Sequence, residues 1–496
     1  MKTIALTAAF TLLASSASAQ NVLVIIGDDI AVDKVSSYAG DYAGYAPAYL
    51  PQTDAIDGLA AAGLRFTRAW ATPMCSPTRV SFQTGKHPFR TGIGAALGGS
   101  AVGVDPDAHL MLAETFQSLG YVTGMFGKWH MGTEDEDGVT GYPATSPFFV
   151  EPHPHRSGWM RFFGLYDGYP GGGRSFTDWP RVGWVDSVAT GYAADETDHH
   201  TDETSAVAVN WISSQTEPWM AVVAFSAPHS PDSASTAWQY GDADVTRYRT
   251  PGLSCLATSS CGNEPLSVYQ GLAEHVDLEI EDLLNGIPDA MMDETLIVFF
   301  GDNGTPLAVQ ESTFLAAGRG KGTAYDNGVR VPFIVTDGAT WRTGAAGRIA
   351  SPGRDVDIAV SSTDIYQTLS LEMLNLGFIG LDSSSFQDCF SNVDPFCGFT
   401  EKRYGYSETY AVSGAAPTYA RVAVRYGHDK MVATYNGGLG CMDHEYYDTS
   451  SDPLEASPTG WTGIKATRLQ DYFTSLHASE PGSWANLSGS TIGFCP

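Results

Sequence analysis

The chain has 496 residues, 43% of them hydrophobic and 17% charged, with a formal charge of −29. The composition is globular, and the length exceeds what one hydrophobic core serves, so one large domain and one smaller one are expected. The negative charge argues against nucleic acid or an anionic membrane as partner, and it requires any anionic substrate to find a locally cationic pocket.

The chain opens MKTIALTAAFTLLASSASAQ, with one early cation (Lys2), an apolar run over 4–13 and the small-residue site Ala17-Ser18-Ala19. This three-part pattern predicts a signal peptide over 1–19, cleaved before Gln20, and a secreted or periplasmic protein. The run is well short of the roughly 20 residues that span a bilayer. Residues 21–26 (NVLVII) form a continuous apolar run that reads as a buried parallel strand ending in Gly27-Asp28-Asp29. A helical pattern over 54–62 leads to "TPMCSPTR" at 72–79, where Pro77 suits the first turn of a helix over 77–84. The N-terminus of that helix would face residue 75, where backbone N–H groups favour anions.

A second helical pattern covers 110–119, and a strand over 121–126 delivers Gly127-Lys128-Trp129-His130. Residues 133–198 are rich in Pro, Gly and aromatics and are expected to hold the determinants of substrate choice. Further helical patterns cover 202–213 and 266–284. Strands over 219–225 and 295–300 deliver Ala227-Pro228-His229 and Gly301-Asp302-Asn303-Gly304. Strands alternating with helices mean an α/β domain whose ligands bind beyond the carboxyl ends of the strands. Near the C-terminus, 420–425 and 430–435 flank Tyr426-Gly427-His428-Asp429 and read as a β-hairpin.

Asp28 and Asp29 repel each other, and Asp302-Asn303 at a second strand end sharpens the conflict unless a cation lies between them. Three carboxylates and an amide oxygen suit Ca2+ or Mg2+ rather than zinc. The competing reading makes Asp28 and Asp29 a helix cap and Asp302-Asn303-Gly304 a turn. Seven cysteines occur. Proximity favours Cys255–Cys261 and Cys389–Cys397, with Cys441–Cys495 closing the C-terminal region, although six cysteines allow fifteen pairings. Cys75, far from the others in sequence, is the odd one.

Taken in order, "VLVIIGDD", "IDGLAAAGLRFTRAWATPMCSPTR", "TGKHPFRTGIG", "GYVTGMFGKWHMG", "FSAPHSP", "EHVDLEIEDLL", "IVFFGDNG", "GKGTAYDNGVRVPFIV" and "EYYDTSSDPLE" resemble the formylglycine-dependent sulfatases of the alkaline-phosphatase-like superfamily. The resemblance implies a large α/β domain over 20–398, with a central mixed, mostly parallel sheet flanked by helices, and a C-terminal antiparallel-sheet subdomain over 399–496. It implies that Cys75, in Cys-x-Pro-x-Arg, is oxidised by a maturation enzyme to Cα-formylglycine, whose hydrate is the nucleophile. One Ca2+, or Mg2+, would be held by Asp28, Asp29, Asp302, Asn303 and an oxygen of the modified residue 75. Arg79 would neutralise the nucleophile, Lys128 would touch nucleophile and sulfate, and His130 would take the proton whose loss expels sulfate. His229 and Lys321 would bind the sulfate ester and protonate or stabilise the leaving oxygen.

The implied activity is hydrolysis of sulfate monoesters on a glycan or small aryl molecule. The alternatives are a phosphodiester or phosphonate ester hydrolase, or a non-catalytic calcium-stabilised binding protein should Cys75 stay unmodified. Asp326-Asn327-Gly328 replaces the family's usual Glu-Gly-Gly, and the same turn is expected because Asn tolerates the left-handed conformation. His153, His155, His199 and His200 read as loop residues and His275 as a packing residue. Of two glycosylation sequons, the one at Asn303 would bury a sugar in the metal site, so Asn486 is the expected acceptor.

Overall fold

A computed structural model of the chain describes residues 21–42, 47–98, 103–132, 153–166, 168, 176, 179–185, 188–196, 198–230, 247–251, 253, 265–311, 318–344, 347–399, 403–413, 416–480, 483–486 and 492–495. Residues 1–20, Cys255, Cys261 and much of 133–198 lie outside these residues. The larger sheet contains β1 (Asn21–Gly27), β2 (Leu64–Trp70), β3 (Val122–Lys128), β4 (Arg161–Leu165), β5 (Trp179–Val185), β6 (Val188–Glu196), β7 (Trp219–Ala224), β8 (Thr295–Gly301), β9 (Phe333–Asp337) and β10 (Arg354–Ser361). Their order is β10-β2-β9-β8-β1-β7-β3-β4-β5-β6. β1 runs parallel to β8 on one side and β7 on the other, and β3 is parallel to β7 and β4. β9 is antiparallel to both β2 and β8, and β5 and β6 extend the far edge antiparallel.

Both faces of β1 are buried, which explains its unbroken apolar run. Val22, Val24 and Ile26 enter one core with Val80 and Phe82 of the helix Cys75–Thr84, Phe116 of Leu112–Gln117 and Leu369 of Asp364–Leu374. Leu23 and Ile25 enter the other, with Ile56 of Asp54–Ala61, Ile212 of His200–Ser213 and Val276 of Pro265–Gly286. Burying each such Val, Leu or Ile contributes about 1.5–3 kcal/mol. Among the described residues no helix is long and apolar enough to cross a membrane.

A second, antiparallel sheet comprises β11 (Tyr404–Ser413), β12 (Ala416–Tyr426), β13 (Asp429–Asn436) and β14 (Cys441–Asp448) in sequential order. Tyr426 pairs with Asp429 across the expected hairpin. The helix Ile464–Ala478 covers this sheet through Ala466, Leu469 and Phe473, which pack on Val422, Val424 and Met431. β11 ties the two sheets together: Ser407 Oγ donates to the Ala71 carbonyl at 2.7 Å, and Phe89 N–H donates to Glu408 at 2.8 Å. Cys389–Cys397 and Cys441–Cys495 are bonded, while Cys75 is free and buried.

Candidate active site

Register builds the site. Gly27 pairs with Gly301, so the next residues, Asp28 and Asp302, leave neighbouring strand ends at the same level. Gly127 pairs with Ala224 on the other side of β1, bringing Lys128 and the loop to His229 onto the same edge. Cys75 opens its helix and Arg79 lies one turn further on the same side, as positions i and i+4 must. β4 extends the scaffold, since Trp129 and His130 donate their N–H groups to the carbonyls of Leu165 and Tyr166.

Three buried carboxylates meet three cations. Arg79 donates Nε and Nη2 to Asp302 Oδ2 at 3.0 and 2.8 Å, and Nη1 to the Lys128 carbonyl at 2.9 Å. Lys128 Nζ bonds Asp28 Oδ2, and Lys321 Nζ bonds Asp29 Oδ1. The repulsion anticipated between Asp28, Asp29 and Asp302 is therefore resolved pair by pair. Burial, then Asp302, pushes Asp28 well above the carboxylate range. Burial also acts on Asp29, but Lys321 and His229 carry it down to about 2. Lys321, opposed by burial, is raised by Asp29 and Cys75 and stays charged.

The oxygens left over fit a hard cation. Asp28 Oδ1 and Asn303 Oδ1 are buried with no hydrogen-bond partner, an arrangement that costs free energy unless an ion or water satisfies it. Asp28, Cys75 and Asp302 each bring a ligand atom within 4.8 Å of the others. Asn303 Nδ2 donates to Asp29 Oδ1 at 2.7 Å, which aims its amide oxygen away from that pair. Asp29 sits at φ 60° and His130 at φ 54°, conformations that cost about 1–2 kcal/mol each for a residue with a Cβ. The first is held at both ends: Asp29 N–H donates to Asp302 Oδ1 at 3.2 Å, and Tyr269 Oη donates to the Asp29 carbonyl at 2.7 Å.

His130 Nδ1 lies 3.2 Å from Cys75 Sγ, and its Nε2 lies 2.8 Å from the Leu97 carbonyl. A carbonyl only accepts, so Nε2 carries the proton and Nδ1 turns a lone pair toward residue 75. Burial, with Lys128 and Arg79, keeps this ring well below the usual histidine pKa and neutral. His229 Nδ1 donates to the Ser230 carbonyl at 2.7 Å, with Nε2 3.9 Å from Asp29 Oδ2. Burial and Lys321 hold its pKa to about 3, so the ring is neutral and the charge beside it belongs to Lys321.

All ten residues singled out from the sequence thus lie in one network. Leu97 and Tyr269 were missed: one contributes only a backbone carbonyl, and the other is an unremarked position on an amphipathic helix. Several secondary expectations need correction. Asn327 is not left-handed; Asp326–Val329 forms a short helix. Gly328 is needed for close approach, because a Cβ there would meet the Thr323 carbonyl at 2.2 Å. His153 and His155 lie in the helical turn His153–Arg156 and His200 is the first residue of the helix His200–Ser213, whereas His199, extended and just ahead of that helix as its N-cap, is the loop residue expected. Asn486 spends its Nδ2 on the carbonyls of His477 and Glu480, so the expected acceptor atom is already engaged.

The Sulfatase family pattern matches residues 20–371. The chain is 27% identical to arylsulfatase A of Homo sapiens over 493 residues, covering 96% of this chain and 85% of that protein. Its fold is similar to that of Ps i-CgsB, solved with k-i-k-neocarrahexaose, at TM-score 0.68 and 21% identity over 95% of each chain. It is also similar to that of BT4656, solved with its substrate D-glucosamine-2-N,6-O-disulfate, at TM-score 0.64 and 17% identity over 93% of this chain and 98% of that one. With this match spanning both the strand-end acids and the Cys75 helix, the chain belongs to the sulfatase family and is a hydrolase of sulfate esters.

Proposed function

We propose that the protein is exported with loss of residues 1–19, and that Cys75 is oxidised to Cα-formylglycine by a separate maturation enzyme. The substrate would be a carbohydrate sulfate monoester, with aryl sulfates as surrogates. The catalytic domain would occupy 20–398 and the C-terminal subdomain 399–496. The observation that carries this reading is the His130 lone pair 3.2 Å from Cys75 Sγ, fixed by the Leu97 carbonyl.

Asp28, Asp29, Asp302 and Asn303, with an oxygen of the modified residue 75, would hold one Ca2+, or Mg2+. When bound, that ion supplies fixed positive charge beside the reacting sulfate oxygens. The modified residue would supply a geminal diol, with one hydroxyl as the nucleophile on sulfur and a second whose loss of a proton would let sulfate leave.

The surrounding side chains do the rest. Arg79 orients residue 75 and the acid side of the pocket. Lys128 bridges nucleophile and sulfate. Lys321 stabilises the developing alkoxide electrostatically, since its raised pKa makes it a poor proton donor. His229 hydrogen-bonds the ester and becomes an acid only after its Nε2 gains a proton. His130 Nδ1 accepts the proton from the second hydroxyl, which allows the carbonyl to reform and sulfate to leave.

The test has two parts. The residue-75 peptide of the active protein should react with hydrazides and show sulfur replaced by oxygen in its mass. A panel of sulfated mono- and oligosaccharides, alongside aryl sulfates and aryl phosphate diesters, should show sulfate release dominating. An intact or disulfide-bonded Cys75 in active protein defeats the nucleophile, and faster phosphodiester cleavage defeats the substrate class.

A further inference from the structure

The helices His200–Ser213 and Pro265–Gly286 pack side by side in the core on one face of the larger sheet. At their contact, outside the catalytic pocket, His199, Asp202 and His275 converge, each bringing one ligand atom within 4.8 Å of the others. His275 Nε2 touches Asp202 Oδ1, and the rings of His199 and His275 have centroids 4.4 Å apart. His275 is 0% exposed and His199 7%, whereas the Asp202 side chain is 43% exposed, so the group opens to solvent on the carboxylate side. Arg247, whose charge Asp202 feels, is itself held by Glu279 and Asp282.

Two imidazoles and one carboxylate differ in kind from the oxygen ligands at Asp28. Imidazole nitrogen suits Zn2+, Co2+ or Ni2+, and three such ligands leave a fourth tetrahedral position for water. His275 Nδ1 is buried without a hydrogen-bond partner, so the ring is held at Nε2 alone, where Asp202 accepts the proton whose place a metal ion would take. His199 Nδ1 accepts the Thr201 N–H at 3.2 Å, a long cap contact that a metal bond would replace. The two helices supply ligands from both sides of their seam. Tyr269 lies six residues before His275, about 9 Å along the helix axis, and donates to the Asp29 carbonyl.

We propose that His199, Asp202 and His275 form a second metal site, selective for a zinc-like transition ion over calcium, that pins the two helices beneath the catalytic pocket. The site is independent of the formylglycine chemistry.

Full-length protein stripped with chelator, then saturated with Ca2+, should be titrated with Co2+ while its visible absorption is followed. One equivalent should bind with the intense band of four-coordinate cobalt on nitrogen ligands, Zn2+ should displace it, and Zn2+ should raise the melting temperature. His275→Gln and Asp202→Asn should each lose the band and the Zn2+ shift. Asp202→Asn alters a half-exposed carboxylate and so keeps the test decisive should His275→Gln fold poorly. Absence of the band in the wild type, or its persistence in Asp202→Asn, overturns the proposal.

Discussion

In the proposed metal site, Lys128 is where the ion and the protein's own charges would compete for one carboxylate. Its Nζ bonds Asp28 Oδ2, both side chains are 0% exposed, and Asp28 Oδ1 has no partner. Lys128→Met keeps the volume of the side chain but removes its charge, leaving the ionised form of Asp28, which burial already disfavours, without its buried partner in metal-free protein. Breaking a buried pair in this way costs about 3–5 kcal/mol. At roughly 1.4 kcal/mol per tenfold, calcium that relieves this cost should bind Lys128→Met two to three orders of magnitude more tightly than it binds the wild type. The assay is a calcium titration at pH 8 by calorimetry, paired with thermal unfolding in chelator and in saturating calcium. The variant should be markedly less stable in chelator, recover in calcium, and lose sulfatase activity in both. Equal calcium affinity in the two proteins, or equal stability in chelator, would refute the assignment of Asp28 to the metal.

Cys75→Ser keeps a hydroxyl but has no geminal partner to expel sulfate, so it should fold and bind calcium yet stop after at most one turnover; continued turnover in a burst experiment would contradict the mechanism. Gly304→Ala would place a Cβ 2.0 Å from the Asn327 carbonyl and 2.5 Å from Gly328 Cα; backbone cannot yield cheaply, so denaturant unfolding should show a loss of about 3 kcal/mol, with kcat falling as Asn303 moves. His477 is buried, its pKa is pushed from 6.5 to about 3 by burial and then His87, and its ring is bonded to Tyr406 and Ser483. The unfolded chain takes up this proton first, so the stability is present above pH 6.5 and lost as pH falls toward 3, by about 2 kcal/mol at pH 5. His477→Gln should flatten that part of the acid dependence of the melting temperature; an unchanged slope would rule the residue out.

The strand ends were legible because a run such as NVLVIIGDD has few physical solutions: an apolar segment buried on both faces, then acids at a carboxyl edge. The pairing of Gly27 with Gly301 turns two distant acidic motifs into one site, and the apolar patterns alone give no such register. The partner of each acid was not legible, since charge type does not say which cation reaches which oxygen in a folded pocket. Nor was the carbonyl of Leu97, because every residue carries the same backbone acceptor and its use depends on where a loop comes to rest. The misreading of Asn327 has a comparable cause: local propensity suggested a left-handed turn, whereas the tertiary contact of Gly328 with Thr323 decides the geometry. His200 reads as a loop residue in the sequence because the helix starts earlier than its apolar periodicity indicates.

The same three cations serve two opposite requirements. Folding Asp28, Asp29 and Asp302 into a dry strand edge demands positive charge beside each, and Lys128, Lys321 and Arg79 supply it within the chain. Binding a sulfate ester demands positive charge not already spent on a carboxylate, and in the paired arrangement none of these three offers it. Were a divalent ion held by the proposed ligands Asp28, Asp29, Asp302 and Asn303, it would compensate the carboxylates, and Lys128 and Lys321 would then be free to face substrate oxygens. In the proposed mechanism the lysines are thus the part of the site that would convert metal binding into affinity for an anion. On this argument a pocket with the acids replaced by amides would fold with free cations and bind sulfate, yet it would lack the fixed charge that distinguishes transition state from substrate.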